Sequence, residues 1–364
     1  MSWQIVKLHD VCRPKQWKTI SSSNLLDSGY PVYGANGKIG FYSKYTHEKP
    51  TLMITCRGAT CGNVHISEPF SYINGNAMAL DEIDAGKVDI KFLYYFFLKR
   101  GFNDVISGSA QPQITGKGLT KVEIPLPPLT EQKRIASILD KADAICRKRQ
   151  QAIDLADEFL RAVFLDMFGS MVNKENWKSV NFGDVTLIDA AMVDPREDEY
   201  LDMLHIGPDR IEKNTGKLLP ALSAREEGLI SKKFLFNDSY VLYSKIRPYL
   251  RKVALPEFEG LCSADMYPIR PVEGMMTREY LWQLLLSDEF TQYTETLPGR
   301  ANIPKLNRNE LAAFSFKLPP IELQKRFTTI FCQYNKNLTA TQFGNEKTSE
   351  LFNSLSQKAF SGEL

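Results

Sequence analysis

Amide and basic side chains gather in a few glycine-flanked or arginine-rich segments of the chain, and their chemistry suits hydrogen bonding to nucleic acid. Asn and Gln can pair with the edge of an adenine, and Arg can pair with guanine or with phosphate. Neighbouring glycines allow the backbone to approach a phosphate closely. The candidate DNA-binding residues are Asn36, Lys38, Arg57, Asn63, Gln111, Gln113 and Lys117 in the first third of the chain, and Arg247, Tyr249, Arg251, Lys252, Arg300, Asn302, Lys305, Asn307 and Arg308 in its second half.

Each candidate also has a plainer interpretation, as a solvated surface residue or a turn former. Gln113 and Lys305 hold equivalent positions in the repeat described below. A shared position favours contact with the DNA backbone, or support of a loop, over the reading of sequence. The basic run Arg147-Lys148-Arg149 lies among acidic residues in the middle of a predicted helix, which favours a solvated helix face or a contact with a partner protein over DNA.

Patterns typical of catalysis are missing from the sequence. The chain has no Asn-Pro-Pro-Tyr-like motif of amino-methyltransferases, and Gly116-Lys117 lacks the earlier glycine and the following Ser or Thr of a phosphate-binding loop. Pro208-Asp209 resembles the start of a nuclease motif but lacks its carboxylate-x-lysine continuation. Cys56, Cys61 and His65 have no second Cys/His pair at a zinc-finger spacing, which favours ordinary buried thiols over a zinc site. We therefore expect neither a catalytic residue nor a bound metal.

The elements that must position the candidate residues are duplicated. Leu126-Pro127-Pro128, followed by Gln132-Lys133-Arg134, recurs 192 residues later as Leu318-Pro319-Pro320, followed by Gln324-Lys325-Arg326. Because this spacing holds without a gap over roughly fifty residues, it indicates a tandem duplication. The same shift aligns Pro112 with Pro304, Leu119 with Leu311, Phe159 with Leu351, Val163 with Leu355 and Phe168 with Phe360.

Each copy of the Pro-Pro motif precedes a predicted long helix, at 130–169 and at 321–364. Thr130 is a suitable N-cap for the first helix, and Gly169 stands where it would end. At 1.5 Å per residue, such a helix would span roughly 58 Å. Apolar and small residues recur in it with the spacing of a coiled-coil seam: Ile135, Ile138, Ala142, Ile145, Ala152, Ala156, Phe159 and Val163, interrupted by Arg149 and Asp166.

The second long helix has a weaker apolar pattern. Its middle, Thr339–Lys347, is polar and contains Gly344, which predicts fraying or a kink there. Its expected apolar residues lie towards the two ends: Phe327, Ile330, Phe331, Tyr334, Leu338, Leu351, Phe352, Leu355, Ala359 and Phe360.

The regions that precede the helices, 1–129 and 170–320, are predicted to be mixed α/β blocks of one fold. Both open with a similar segment, Trp3–Val11 and Trp177–Val185, and a glycine-rich turn at 34–40 joins two short strands in the first block. Between these matched edges the blocks share little sequence, which suggests two domains of one fold that recognise two different targets. The elements expected to match are the strands Thr51–Thr55 and Ser239–Ser244 and the helices Phe92–Leu98 and Glu279–Leu286.

Composition and charge limit the class of protein. The chain has 364 residues and a net charge of only +2, so any surface that binds nucleic acid must be local. Counted from the sequence, block 1–129 has 14 basic and 10 acidic residues, and block 170–320 has 19 and 22. The sequence shows no signal segment and no apolar run long enough to cross a membrane. Six scattered cysteines suit reduced thiols, so we expect a cytoplasmic protein.

These features together resemble the specificity (S) subunit of type I restriction-modification systems. The resemblance covers the whole chain and is carried by Pro127-Pro128-x-x-Glu131-Gln132-Lys133-Arg134-Ile135, by its repeat from Pro319 to Arg326, by the glycine-rich turn, and by the terminal segment Gln357–Leu364. One departure is Ile321-Glu322-Leu323-Gln324, in which no Glu directly precedes the Gln.

The resemblance implies a non-catalytic DNA-binding subunit. It would have two target-recognition domains, each reading one half of an asymmetric bipartite site in double-stranded DNA, spaced by two antiparallel helices. It would also be a scaffold for DNA-methyltransferase (modification) subunits, two in number, and for restriction/translocase subunits. S-adenosylmethionine, ATP and Mg²⁺ are expected on those partners, and no cofactor on this chain. The alternatives are the recognition subunit of a related system with fused restriction and methylation subunits, and a self-contained nuclease or methyltransferase.

Overall fold

A computed structural model describes residues 3–35, 37–108, 111–169, 176–297 and 304–364. The chain forms two compact units. Unit 1 comprises Met1–Gln150 and Phe343–Leu364, and unit 2 comprises Gln151–Gln342. Each unit therefore contains one block, the first half of the long helix that follows it, and the second half of the other long helix. The predicted mixed α/β class is confirmed.

Unit 1 is built on a four-stranded antiparallel sheet, β2-β8-β5-β6, beside a three-stranded sheet, β4-β3-β7. A separate pair, β1 and β9, joins the start of the block to its end. The strands are β1 Gln4–Lys7, β2 Arg13–Gln16, β3 Tyr30–Gly34, β4 Gly37–Tyr42, β5 Leu52–Thr55, β6 Val64–Ile66, β7 Tyr72–Ile73, β8 Ala77–Asp81 and β9 Glu123–Leu126, and the helices are α1 Ile90–Arg100, α2 Gly116–Leu119 and the long α3 Leu129–Phe168.

Unit 2 repeats this frame. Its sheet β11-β18-β15-β16 corresponds to β2-β8-β5-β6, and its pair β10-β19 corresponds to β1-β9, while the sheet β12-β14-β17-β13 has a different strand order from its counterpart. The strands are β10 Lys178–Asn181, β11 Thr186–Leu187, β12 Met192–Val193, β13 His205–Ile206, β14 Lys233–Phe236, β15 Val241–Ser244, β16 Val253–Ala254, β17 Gly260–Cys262, β18 Met266–Pro271 and β19 Ser315–Leu318, and the helices are α4 Phe182–Val185, α5 Ala224–Glu227, α6 Arg278–Leu286, α7 Asp288–Thr296, α8 Arg308–Ala312 and the long α9 Ile321–Ser361.

The local elements expected from the sequence are present. The two predicted strands overlap β5 and β15, which begin one and two residues later, and the two predicted helices lie in α1 and α6. Helix α1 starts at Asp89, whose carboxylate accepts hydrogen bonds from the N–H groups of Lys91 and Phe92, and α6 starts at the capping residue Thr277. Such caps satisfy the free amides at a helix start and define where it begins.

Both predicted long helices are present, and in each unit the paired segments run antiparallel. In unit 1, Arg134 near the start of α3 donates to the carbonyl oxygen of Leu364 at 2.6 Å, and Asn345 lies 3.4 Å from Gln150. In unit 2, the ring of Phe164 lies 5.5 Å from that of Phe327. None of the helices in the described part of the chain is long and apolar enough to cross a membrane.

The predicted seam of α3 is wrong in part. Ile145 and Phe159 are 49% and 56% exposed, whereas Leu139 and Leu160 are buried. The helix carries two neighbouring apolar rows, and the row that packs is the one that faces the core of each unit. The observed seam shares every second position with the predicted one and moves each position between them by one residue: Ile135, Leu139, Ala142, Cys146, Arg149, Ile153, Ala156, Leu160, Val163 and Met167.

The fraying predicted for the middle of the second helix is absent, because α9 continues without a break through Thr339–Lys347. Gly344 has a packing role there. A Cβ atom at this position would lie 2.5 Å from a guanidinium nitrogen of Arg149. The glycine therefore makes room for the arginine that interrupts the apolar seam of α3.

Candidate nucleic-acid interface

The first candidate surface is formed by the loop between β5 and β6, here called loop 1 (Thr55–Asn63). The N–H of Thr55 donates to the Asn63 carbonyl, and the N–H of Gly62 donates to the Thr55 carbonyl, each at 2.8 Å. The side-chain hydroxyls of Thr55 and Thr60 both donate to the carbonyl of Ala35, at 2.8 and 3.1 Å. These bonds hold loop 1 against the glycine-rich turn that follows β3.

The segment around Gln113 docks on loop 1. Gly58 N–H donates to the Pro112 carbonyl at 3.2 Å, and Ile114 N–H donates to the Cys56 carbonyl at 3.0 Å. Arg57 and Gln113 are directly paired as an isolated β-bridge. The structure thus brings together Arg57, Asn63 and Gln113, three exposed residues predicted from the sequence, with exposed Gln111 two residues before Gln113.

Lys38 and Lys117 are placed differently. Lys38 lies on β4, where its ammonium is 3.3 Å from Glu68 and 4.8 Å from the ring of Phe41. The carboxylate neutralises part of its charge and makes Lys38 a weaker phosphate ligand. Lys117 is exposed on the short helix α2. Asn36 lies outside the described residues.

Sequence reasoning missed a second group beside loop 1. Gln16 donates to the carbonyl of Gly75, and Cys56 N–H donates to the carbonyl of Asn76 at 3.0 Å. The ammonium of Lys15 stands 3.9 Å from the ring centroid of Trp17. The pairing of β2 with β8 brings Gln16 to loop 1, where its amide nitrogen also lies 3.8 Å from the sulfur of Cys56. These residues carry no glycine or arginine cluster in sequence, so only the sheet register could have revealed them.

The second candidate surface, loop 2 (Ser244–Lys252), has the same backbone frame as loop 1. Ser244 N–H donates to the Lys252 carbonyl at 3.0 Å, as Thr55 does to Asn63. Arg247 N–H donates to the Pro304 carbonyl at 2.8 Å, as Gly58 does to Pro112.

The docking segment of loop 2 is also equivalent. Leu306 N–H donates to the Lys245 carbonyl at 2.9 Å, as Ile114 does to Cys56. Lys305 forms an isolated bridge with Ile246, as Gln113 does with Arg57. The frame is therefore common to both blocks, and the side chains it presents differ at nearly every position.

Two arginines of loop 2 have a left-handed backbone where loop 1 has glycines. Gly58 and Gly62 have φ angles of 86° and 97°, and the equivalent Arg247 and Arg251 have φ angles of 51° and 47°. A left-handed conformation is unfavourable by roughly 1–2 kcal/mol for a residue with a Cβ atom. Since glycine serves the same frame in loop 1, the arginines are not needed for the turn itself. Strain of this kind points to a role for the side chain.

Around loop 2 the structure gathers a basic, aromatic surface. Arg247 and Tyr249 are exposed. Lys305 lies 3.8 Å from Asp265, and so does Lys245, a residue that sequence reasoning missed. The guanidinium of Arg308 lies 5.9 Å from the ring centroid of Tyr267, and the Lys245 ammonium lies 5.6 Å from the same centroid.

Three predicted residues of this block are engaged within the protein. Arg251 pairs with Asp288 at 2.6 Å. Lys252 donates to the Pro208 carbonyl at 2.6 Å. Asn307 caps α8, since its side-chain oxygen accepts from Glu310 N–H at 2.8 Å. These side chains support the loops that carry the other candidates. Arg300 and Asn302 lie outside the described residues.

The thiols near loop 1 and the neighbouring His65 are affected mainly by burial. Burial is the main cause that raises the pKa of Cys56 and of Cys61, and burial lowers the pKa of His65. Burial therefore favours the neutral form of these three side chains. Among the residues that the structure describes, no group of three or more His, Cys, Asp or Glu side chains is placed to hold a metal ion.

The structure thus has two candidate surfaces on one duplicated frame, and comparison with known proteins shows the family to which such a chain belongs. The sequence model of the type I restriction modification DNA specificity domain matches residues 1–155 and 174–347. The chain belongs to this family, whose members are non-catalytic DNA-recognition subunits.

Individual relatives agree with this assignment. The chain is similar to the specificity subunit of the type I restriction enzyme EcoDI from Escherichia coli, with 24% identity over 407 residues that cover 100% of this chain and 89% of the relative. It is 27% identical to the EcoprrI specificity subunit from the same organism over 143 residues, 38% of this chain and 35% of that protein. The crystal structure of the type I S subunit from M. genitalium has a similar fold, with a TM-score of 0.61, 14% identity, and coverage of 99% of this chain and 96% of that one.

Proposed function

We propose that this chain is the specificity subunit of a type I restriction-modification complex and that it reads an asymmetric, bipartite site in double-stranded DNA. The observation that carries the proposal is the pair of loops with one backbone frame and different side chains. Loop 1 presents Arg57 and Asn63, and loop 2 presents Arg247 and Tyr249. Two frames of one geometry can dock on DNA in the same way, while different side chains read different base edges.

The proposed division of labour follows the duplication. Residues 1–129 and 170–320 are the two target-recognition domains, and 130–169 and 321–364 are the spacer helices. Arg57, Gln113, Arg247, Lys305 and Arg308 are the first candidates for contact with DNA. Phosphate contacts would set the register of each domain, and exposed amide and guanidinium groups would read bases.

The proposed partners are supplied by other genes. Relatives named as specificity subunits of type I restriction enzymes support assembly into such an enzyme. In this proposal the chain is a scaffold that binds two modification subunits and the restriction/translocase subunits. The chemistry of methyl transfer and DNA translocation would lie on those partners, together with S-adenosylmethionine, ATP and Mg²⁺. This chain would contribute recognition and spacing.

Exchange of one recognition domain tests the two-reader proposal. Replacing residues 1–129 by the equivalent block of another specificity subunit should change one half-site and leave the other half-site and the spacer unchanged. The reason is that loop 1 and its docking segment lie entirely within this block. Genome-wide mapping of methylated bases in a host that carries the modification subunit would read out both half-sites at once. A change in both half-sites would contradict the proposal.

Insertion into the long helices tests their role as a spacer. The units divide α3 after Gln150 and α9 after Gln342, so one heptad inserted at each of these points lengthens both helices and preserves the 3,4 seam. Seven residues add roughly 10 Å at 1.5 Å per residue, which corresponds to about three base pairs at 3.4 Å each. The methylated site should acquire a longer spacer with unchanged half-sites.

Heptad insertion near Gln150 alone is the matched control. It lengthens α3 but not α9, so the apolar residues of the two helices no longer face one another and recognition should fail. An unchanged spacer in the double insertion, with unchanged methylation, would show that the helices do not set the spacing.

A further inference from the structure

One buried glutamine in each copy ties the long helix to its recognition domain. Gln132 is the fourth residue of α3, Gln324 is the fourth residue of α9, and both are 0% exposed. The Gln132 amide donates to the carbonyls of Lys87 at 2.9 Å and Pro127 at 2.8 Å. Its oxygen accepts from the N–H of Asp89 at 2.8 Å.

Gln324 makes the same three bonds. Its amide donates to the carbonyls of Met275 at 3.1 Å and Pro319 at 2.8 Å, and its oxygen accepts from Thr277 N–H at 2.9 Å. Leu323, which stands where the first copy has Glu131, leaves these bonds unchanged. The duplication therefore preserves a complete set of contacts and not only a residue type.

The preserved contacts survive a change in chain spacing. Gln132 and Gln324 are 192 residues apart, as are Pro127 and Pro319. Lys87 and Met275 are 188 residues apart, and so are Asp89 and Thr277, the N-cap residues of α1 and α6. Four residues were therefore gained or lost between these points in one copy, and the same hydrogen bonds are made nonetheless. The bonds are therefore independent of the length of the chain between these points.

The chemistry of the contact requires a primary amide. Two N–H donors and one acceptor are needed at a single buried point, and only the Asn and Gln side chains supply this set. The bonds join three elements: the end of the last strand of the block, the start of its main helix, and the first turn of the long helix. Hydrogen bonds that are buried and fully matched define one geometry, since any displacement leaves a polar group without its partner.

We propose that Gln132 and Gln324 are positioning residues that fix the direction in which each spacer helix leaves its recognition domain. By doing so they restrict recognition to sites with one spacer length. The inference rests on the proposed function. A tilt of about 5° at the start of a helix of 40 residues moves its far end by roughly 5 Å, at 1.5 Å rise per residue. One base-pair step is about 3.4 Å, so a loose joint would accept neighbouring spacers.

The test uses the full chain assembled with its modification subunit. Gln132→Met conserves volume and removes all three hydrogen bonds, and Gln324→Met is the same change in the second copy. Each complex methylates a set of DNA duplexes that carry both native half-sites and a spacer that is native, one base pair shorter or one base pair longer. Gln151→Met, at an exposed position of the same helix, is the matched control.

We expect the wild type and Gln151→Met to methylate the native spacer at least tenfold faster than its neighbours. Gln132→Met and Gln324→Met should each lose most of that preference, while the preference among half-site sequences stays unchanged. A role in stability alone would lower methylation of all three spacers equally. That result, or full retention of the spacer preference in a folded Gln132→Met complex, overturns the proposal.

A second variant is needed in case the Gln132→Met protein does not fold. Gln132→Glu keeps an oxygen for Asp89 N–H and removes the two donors, and it is scored on the same spacers. If both changes prevent assembly, the glutamine acts on folding and the proposal is overturned. A wild-type complex that methylates no bipartite site would contradict the proposed function instead, so the two failures are distinguishable.

Discussion

Replacing Arg247 by glycine is expected to reduce DNA recognition strongly while leaving the protein as stable as before. Arg247 has a left-handed backbone with φ of 51°, and the equivalent residue of loop 1 is Gly58. Relief of roughly 1 kcal/mol of strain offsets the greater backbone entropy that glycine loses on folding. The guanidinium is exposed, so its removal leaves no buried group unpaired.

We expect recognition to weaken because the Arg247→Gly substitution removes a contact with DNA. A guanidinium that reads a guanine contributes about 1–3 kcal/mol of discrimination, which corresponds to a factor of roughly 5 to 150 in methylation of the correct second half-site. If Arg247 binds phosphate instead, binding should weaken for all sequences, and the salt dependence should decrease by about one unit of slope. Binding to duplexes that vary only in the second half-site, at several salt concentrations, separates the two cases.

Arg251→Gly is the matched control, because Arg251 has the same left-handed backbone but pairs with Asp288. This change should lower the melting temperature and leave preference among bases unchanged. Wild-type binding by Arg247→Gly at every half-site and salt concentration would show that the strained arginine has no role in recognition.

The duplicated frame was predictable from sequence because its marks are local. The Pro-Pro motif and the glutamine four residues after it keep their spacing in both copies, and the strand that precedes loop 1 or loop 2 recurs at a shift of 189 residues instead of 192. A constant spacing survives divergence of the side chains between the marks. For the same reason, the mixed α/β class and the two long helices followed from the pattern without knowledge of any contact.

Other features depended on contacts that no short pattern encodes. Helix α3 offers two apolar rows, one through Ile145 and Phe159 and one through Leu139 and Leu160, and only packing against the blocks decides between them. Similarly, Arg251 has the composition of a DNA ligand but meets Asp288, 37 residues further along the chain. Gln16 reaches loop 1 only through the pairing of β2 with β8.

A fragment that ends at Gly169 is expected to form an antiparallel homodimer. In the intact chain, unit 1 covers the first half of α3 with residues 343–364, and unit 2 buries the second half. The fragment exposes the side chains that these contacts cover, and burial of each large apolar one contributes roughly 1.5–3 kcal/mol. They include Ile135, Leu139, Leu160, Phe164 and Phe168.

A second copy of the fragment can supply the missing cover, because the two long helices are related by the repeat. In the shift of 192 residues, Leu160 takes the place of Phe352 and Phe168 takes the place of Phe360, which packs 5.5 Å from the rings of Phe92 and Phe96. A two-fold axis would make both joints of the dimer identical.

At two positions, the repeat would place a larger side chain of the fragment in a tightly packed site, which disfavours the dimer. Phe164 would enter the place of Ser356, which is 4% exposed, and Met167 would enter the place of Ala359, which is 0% exposed. Added volume in a packed core is unfavourable by about 1–3 kcal/mol. The double variant Phe164→Ser, Met167→Ala restores the native side chains of that joint, so the fragment that carries it should dimerise more tightly than the unmodified fragment.

Sedimentation of both fragments across a range of concentrations measures the two dimer constants. Methylation mapping with the modification subunit then tests recognition, since two identical readers facing opposite ways should select an interrupted palindrome built from the first half-site and its inverse. Weaker dimerisation of the double variant would show that the two fragments do not pair in the way that the repeat predicts. A folded, soluble and monomeric fragment 1–169 would exclude the helix seam as the joint between halves, because Ile135 and Leu139 would then need no cover.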